Sequence, residues 1–278
     1  MRRTEKFRIP LRISILASGS SGNSVLLETE HTTLLIDAGL GKKEMLRRFE
    51  ALGRQRPERI DAILITHEHS DHSTGLAQMA REWRCPAYLT EPTHRAILEM
   101  FPEGPFKKME RVEYIRPGER FEIGDVEISP FVIPHDARDP VGYAFRSNGR
   151  KAVVATDLGY MPELVKLHLR EADFLVLESN HDLEMLKVGP YPWHIKQRVM
   201  SRTGHLSNTV VSEFLSDAEV FDGRARYLVL AHLSEQNNTP DLAQITAEQA
   251  LASRAAEYAF AGSLHIASQR VPLGPFEL

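Results

Sequence analysis

Cys85 is the only cysteine, so no internal disulfide can form and a reducing, cytoplasmic setting is expected. It sits among Trp83, Pro86 and Tyr88 and reads as a structural thiol. No apolar run approaches the length of a bilayer span, which excludes an evident transmembrane helix. The charged start, Met1 to Lys6, is not followed by an apolar core with a small-residue cleavage site, so no signal peptide is expected. Positive charge is not in excess. A net charge of -4 over 278 residues argues against a non-specific nucleic-acid binder, although an enzyme of nucleic acids needs only a charged cleft. Short-period repeats and low-complexity linkers are also missing. One domain spanning residues 1–278 is the expectation.

Histidine is concentrated instead. Of 12 in the chain, three fall with a carboxylate in the run His67-Glu-His69-Ser-Asp71-His72. The run follows a short apolar segment, Ile63 to Ile65, that reads as a buried strand. His67 and His69, at i and i+2, point the same way if the segment stays extended. Ser70 and Asp71 suit a helix N-cap, so Asp71 and His72 would be presented from the first helical turn. Imidazole nitrogen and carboxylate oxygen are ligands for borderline divalent cations. The natural reading places His67 and His69 on one ion, with Asp71 and His72 on a second.

Three more strands end in a candidate ligand. Phe131-Val-Ile-Pro134 delivers His135, Val153-Val-Ala-Thr156 delivers Asp157, and Leu228-Val-Leu-Ala231 delivers His232. Together they complete a set. His67, His69 and His135 would hold the first ion; Asp71, His72 and His232 the second; Asp157 would bridge both. An all-nitrogen-and-oxygen set accepts zinc, manganese or iron and does not choose among them.

The rest of the chain supplies a scaffold. Arg12–Ala17, Val25–Glu28 and Thr33–Ile36 read as a β-meander, and Lys42–Leu52 as a helix stopped at Gly53. A helix is expected after Asp71, with Leu76, Met79 and Ala80 on one face. Ala87–Leu89 reads as a strand and Thr93–Met100 as a short helix whose His94 lies at the surface. Residues 112–154 are β-rich, with separate runs at Val126-Glu-Ile and Phe131-Val-Ile and a hairpin signal at Asn148-Gly149. Later segments alternate. Helices are expected at Pro162–Leu169, Trp193–Met200, Ser207–Leu215 and Thr246–Tyr258, strands at Phe174–Leu177 and Tyr227–Ala231, and a final strand at Leu264–Ala267. Each half runs β then α, which predicts an α/β fold of four layers, αβ/βα, with two mixed β-sheets inside and helices outside. The Ser/Gly loop Ala17 to Ser24 is either a tight turn or an anion-facing wall of the metal site.

The run Thr66 to His72, with Asp37-Ala-Gly39, His135, Asp157 and His232, closely resembles the metallo-β-lactamase-fold hydrolases. The likeness spans nearly the whole chain in the expected order. Asp157 stands where the β-lactamase branch commonly has a Cys ligand; a carboxylate there is the pattern of phosphodiesterases, nucleases and glyoxalase-II-like thioesterases. Ala17 to Ser24, Glu178 to Asp182, Thr203 to Asn208 and Ala231 to Asn238 look like the WalJ/YycJ group. That resemblance implies 5′-to-3′ exonuclease action on double-stranded DNA, linked to repair and to coordinating cell division with replication.

On this reading a metal-bridging hydroxide would attack phosphorus in line, and Asp71 would double as ligand and proton acceptor. His205, in a Gly-His turn, is the candidate acid for the leaving oxygen; alternatively it only caps the following helix. Ser207 and Asn208 would meet a phosphate at that helix's N-terminus. Tyr191, Trp193, Lys196, Arg198 and Arg202 suit either a DNA-facing surface or a solvated helix with a buried Trp. His181 and Asp182 either orient a ligand imidazole or fix a loop. The competing functions are a small-molecule hydrolase, either cyclic phosphodiesterase or thioesterase, and a metal-binding regulatory protein without catalysis.

Overall fold

Both faces of most strands are buried, and this explains their nearly unbroken apolar character. The computed structural model describes residues 11–53 and 56–278; the start from Met1 to Lys6 lies outside them. One sheet has seven strands: β1 (Arg12–Ala17), β2 (Ser24–Glu28), β3 (Thr33–Ile36), β4 (Ala62–Leu64), β5 (Ala87–Leu89), β6 (Val112–Tyr114) and the late strand Leu273–Glu277, which pairs antiparallel with β1. The other holds β7 (Phe121–Ile123), β8 (Val126–Val132), β9 (Val141–Ser147), β10 (Arg150–Ala155), β11 (Phe174–Glu178), β12 (Tyr227–Ala231) and β13 (Ser263–Ile266). We number Leu273–Glu277 as β14.

Each sheet is antiparallel on one side and parallel on the other. β3 to β6 run parallel to one another, and so do β10 to β13. Three apolar cores separate four layers. Residues of the strands and of their immediate ends fill the space between the sheets, including Leu64, Tyr143, Val154 and Val176. Alternate residues of the second sheet, Val153 and Leu175 among them, pack under helices Glu163–Leu169, Asn208–Ser216 and Pro240–Ala252. Ile63 and Ile65 of the first sheet pack with Met45, Phe49 and Met79 of helices Lys42–Ala51 and Leu76–Trp83. This is the expected αβ/βα sandwich. Parallel strands deliver their C-terminal ends to one rim, the place where open α/β sheets present ligand sites.

Several boundaries depart from the sequence reading. The helix after β4 is two pieces, Ser70–Ser73 and Leu76–Trp83. His69 occupies the first N-cap position, with no side-chain cap from Ser70 or Asp71. The break falls at Gly75, where an added Cβ would meet the Leu40 carbonyl oxygen at 2.0 Å. Val126 to Val132 is one strand, not two. Pro130 is tolerated because pairing with β7 stops at Ile128, leaving no ladder bond there for its missing N–H. The last helix is Pro240–Ala252 rather than Thr246–Tyr258; Thr239 caps it by accepting from the Leu242 N–H, and Pro240 sits at the first helical position. Leu264 to Ala267 is not the final strand, since β14 follows.

Candidate metal centre

Five strand ends meet at the rim. β3 ends in Asp37, β4 in Thr66 and His67, β10 in Asp157, β11 in Glu178 and β12 in His232. Three of these residues carry left-handed backbone: Asp37 at φ 59°, Asp157 at 64° and His232 at 56°. Asp and His enter this region more readily than most side chains but still at a cost, and such strain gathers where a side chain must be aimed. The loop before Asp71 is drawn close by three backbone bonds: Asn23 N–H to the Asp71 carbonyl (2.7 Å), Ala38 N–H to the His72 carbonyl (2.8 Å), and Gly39 N–H to the Asn23 carbonyl (3.0 Å). Gly39 makes the approach possible, because a Cβ there would lie 1.6 Å from the Asp71 carbonyl oxygen.

The nitrogen and oxygen atoms of His67, His69 and His135 form one cluster, and those of Asp71, His72 and His232 another, each within 4.8 Å. Within the first, His135 Nε2 lies 3.2 Å from His69 Nδ1. Within the second, Asp71 Oδ2 lies 3.4 Å from both His72 Nε2 and His232 Nε2. Asp157 stands between. Its Oδ2 is 3.3 Å from His72 Nε2, and its Oδ1 is 3.8 Å from His135 Nε2 and 3.5 Å from His232 Nε2. Two ligands about 2.0–2.1 Å from one tetrahedral ion stand roughly 3.3 Å apart, which is close to these separations.

A second ring of contacts fixes which nitrogen faces inward. His72 Nδ1 donates to Asp37 Oδ2 at 2.8 Å. His135 Nδ1 donates to the Gly204 carbonyl at 3.2 Å. His232 Nδ1 lies 3.2 Å from Glu178 Oε1, and His67 Nδ1 lies 3.0 Å from the Thr66 hydroxyl. Thr66 is itself tied down, its N–H donating to Asp37 Oδ1 at 2.9 Å. Four imidazoles therefore turn Nε2 toward the centre, while His69 turns Nδ1. Such partners set tautomer and ring angle in metal sites.

The donor set fits divalent cations on two counts. First, His67 Nε2 and Asp157 Oδ2 are buried atoms with no hydrogen-bond partner among the described residues, which costs free energy unless something else binds them. Second, the donors are of the right kind. Burial, then the nearby imidazoles of His72 and His135, hold His67 well below the usual histidine value, so it is the neutral, ligating form. Burial likewise lowers His135. Burial alone would also lower His72 and His232, but Asp157 and the other acids outweigh it and raise both, His232 to about 10. The carboxylates of Asp71, Asp157 and Glu178 gather around the same imidazoles, and oxygen and nitrogen donors so arranged suit divalent cations.

The segment from Glu178 to Asp182 carries the family likeness, but the sequence assigns Glu178 itself no role. It ends β11 fully buried. Oε1 accepts from His205 Nδ1 at 2.7 Å, and Oε2 accepts from the N–H groups of Leu158 (2.8 Å) and Leu206 (2.9 Å). Burial would raise its pKa, yet His205 and His232 bring it well below the usual carboxylate range. The signal was available, since Phe174 to Leu177 is another apolar strand delivering an acid at its end. His205 itself stands at the rim, its ring 5.1 Å from that of His135 and 5.3 Å from that of His232. Burial would lower its pKa, but Glu178 outweighs that and raises it above the usual value. His205 does not cap the helix. Ser207 does, its hydroxyl accepting from the Val210 N–H at 3.3 Å.

Three expected phosphate contacts point elsewhere. The Ser207 hydroxyl is engaged by its own helix. Asn208 is buried, its Oδ1 accepting from Ser179 Oγ (2.7 Å) and its Nδ2 donating to Asn238 Oδ1 (2.9 Å). Lys196 is only 8% exposed, and its ammonium donates to the Lys187 carbonyl at 2.6 Å. Arg198 instead reaches the rim. Its Nε donates to Asp136 Oδ2, and its pKa is raised, first by that bond and also by the charge of Asp71. Trp193 is 64% exposed rather than buried, and Arg202 lies 4.0 Å over the Tyr160 ring. The Ser/Gly loop is a wall of the centre: Ser18 Oγ accepts from the His232 N–H (2.7 Å), and Asn23 Nδ2 lies 3.2 Å from Asp71 Oδ2. His181 is buried behind the site, where burial lowers its pKa to about 4, and Asp182 caps helix Leu183–Val188. A cleft of about 320 Å³ opens beside His69, lined by Glu68, Glu99, Met100 and Arg138.

Two seven-stranded sheets, helices outside, and His/Asp clusters for divalent metal at the parallel strand ends define a metallo-β-lactamase-fold, metal-dependent hydrolase. The model of the β-lactamase superfamily domain matches residues 32–233. The chain is 37% identical to the exodeoxyribonuclease YycJ of Bacillus anthracis, covering 94% of this chain and 97% of that one. It is 38% identical to the exodeoxyribonuclease WalJ of Streptococcus pneumoniae, covering 88% and 89%. Among solved structures, YhfI of Bacillus subtilis superposes with TM-score 0.67 at 18% identity, over 95% of this chain and 99% of that one. The short form of human tRNase Z gives 0.62 at 18%, over 95% and 99%. The chain belongs to the β-lactamase superfamily, in the group of WalJ/YycJ-like exodeoxyribonucleases.

Proposed function

We propose that the protein is a dinuclear phosphodiesterase that removes nucleotides from double-stranded DNA in the 5′-to-3′ direction. The supporting observation is the convergence of two clusters on a shared carboxylate. His67, His69 and His135 would hold one ion, Asp71, His72 and His232 a second, and Asp157 would touch both. Zinc, manganese and iron all suit these ligands. Bound divalent ions would supply Lewis acidity toward phosphate oxygens and lower the pKa of water toward about 7.

The chain's own groups do the remaining work. Asp71, partly exposed at the rim, is placed to accept the proton of the attacking water. Glu178 holds His205 by Nδ1 and keeps it protonated, so Nε2 is free to donate to the leaving oxygen. Arg198 contacts a substrate phosphate. Relatives named exodeoxyribonuclease match nearly the whole chain, which favours DNA over a cyclic phosphodiester or thioester. One domain is proposed for residues 1–278, and among the described residues the continuous core between the sheets favours it. A cytoplasmic setting rests on the lone thiol of Cys85, buried and pushed up by that burial to about 11, and no helix among the described residues is long and apolar enough to cross a membrane.

The test is digestion of duplexes labelled at the 5′ or the 3′ end, with cyclic dinucleotide and thioester controls. Release of the 5′ label first, abolished by chelator, is expected. Turnover of only the small-molecule controls would overturn the reading.

A further inference from the structure

Asp136 follows His135 and has two distinct surroundings. Its Oδ1 is a buried atom, 3.4 Å from His135 Nε2 and without a hydrogen-bond partner among the described residues. Its Oδ2 accepts from Arg198 Nε. Its backbone N–H donates to the Thr203 carbonyl at 3.0 Å, in the turn that also carries His205. The Arg198 side chain is half-exposed, and no second carboxylate pairs with it among the described residues. A guanidinium held through Nε keeps both Nη groups for a bidentate contact with a phosphate.

Taking DNA as the substrate, as proposed above, we infer that Asp136 is a positioning residue that bridges the His67/His69/His135 cluster to Arg198 and aims its guanidinium at a substrate phosphate. A free carboxylate at this rim would repel DNA. Paired with Arg198 its charge is offset, and the fork is fixed beside the reacting centre. Lysine cannot replace the arginine, because one ammonium cannot hold Asp136 and present a planar fork.

The measurement is the binding of a short 5′-phosphorylated, fluorescein-labelled duplex in EDTA, followed by anisotropy across a salt series, so that no catalysis by loaded enzyme is needed. Arg198→Ala should weaken binding about tenfold and reduce the salt slope by about one. Asp136→Ala should weaken it by a similar factor, although it removes a negative charge. The double variant should be no weaker than Arg198→Ala, and Asp136→Asn, which keeps an oxygen for Nε, should recover most of the binding. With metal restored, Asp136→Ala should raise KM more than it lowers kcat and should keep its metal content. Binding by Asp136→Ala equal to or tighter than wild type, additive losses in the double variant, or loss of metal from Asp136→Ala would each overturn the inference while leaving the nuclease reading intact. Wild-type protein that neither binds nor cuts the duplex would overturn that reading and this inference together.

Discussion

Among single side chains, the division of labour follows from which atoms are already engaged. His205 keeps one nitrogen on Glu178 and stands outside the two clusters assigned to the ions, although its ring also falls in a group with Asp157, Glu178 and His232. His205→Ala should lower kcat by about 10²–10⁴-fold, the usual worth of a positioned acid, with metal content unchanged. A loss of metal in that variant would make His205 a ligand instead. The seven candidate ligands were legible because the run from His67 to His72 is dense and the other three close apolar strands. Glu178 follows the same rule, closing the apolar strand Phe174–Leu177, but its role depends on contacts with His205 and His232 that no local pattern shows. Lys196 and Asn208 show the opposite error: sequence gives residue type and neighbourhood, whereas the direction of a long side chain is set by packing.

Elements aim these side chains. Tyr143 of β9 lies fully buried between the sheets, and its hydroxyl donates to the Ile65 carbonyl at 2.7 Å, just before the histidine run. Tyr143→Phe leaves that carbonyl unpaired and should lower unfolding free energy by about 1–2 kcal/mol, read by denaturant titration. An unchanged midpoint would show that another donor replaces it. Most strands were legible, since their apolar runs are bounded by turns, but Val126–Val132 reads as two runs and β14 carries no such signal. Helix starts were harder. The helix after Thr239-Pro240 starts earlier than the expected Thr246, and the break at Gly75 depends on the Leu40 carbonyl, a neighbour 35 positions away that no local pattern reveals.

For the molecule as a whole, the two sheets are also clipped at the end of β3 away from Asp37. Asp125, in the turn between β7 and β8, accepts at 2.6 Å from the hydroxyls of both Thr29 and Thr32 in the turn before β3. Burial would raise the Asp125 pKa, but these two hydroxyls outweigh it and lower it. A carboxyl lowered in the folded state adds stability that is present above its unfolded pKa, about 3.9, and is lost as pH falls through the folded value. The melting temperature of wild type should therefore fall more steeply than that of Asp125→Asn as pH drops from about 5 to about 2. Parallel slopes would remove Asp125 from the acid response. The layering was readable from the order of β and α segments. The inter-sheet clip was not, because it joins turns more than ninety positions apart whose threonines look like ordinary turn residues.

The central claim is that scattered imidazoles and acids jointly hold a pair of cations around Asp157, and metal stoichiometry by mass spectrometry tests it most directly. Wild-type protein dialysed against manganese or zinc should retain about two ions per chain, and Asp157→Ala clearly fewer. One ion or none in the wild type, or two still bound in Asp157→Ala, would contradict it.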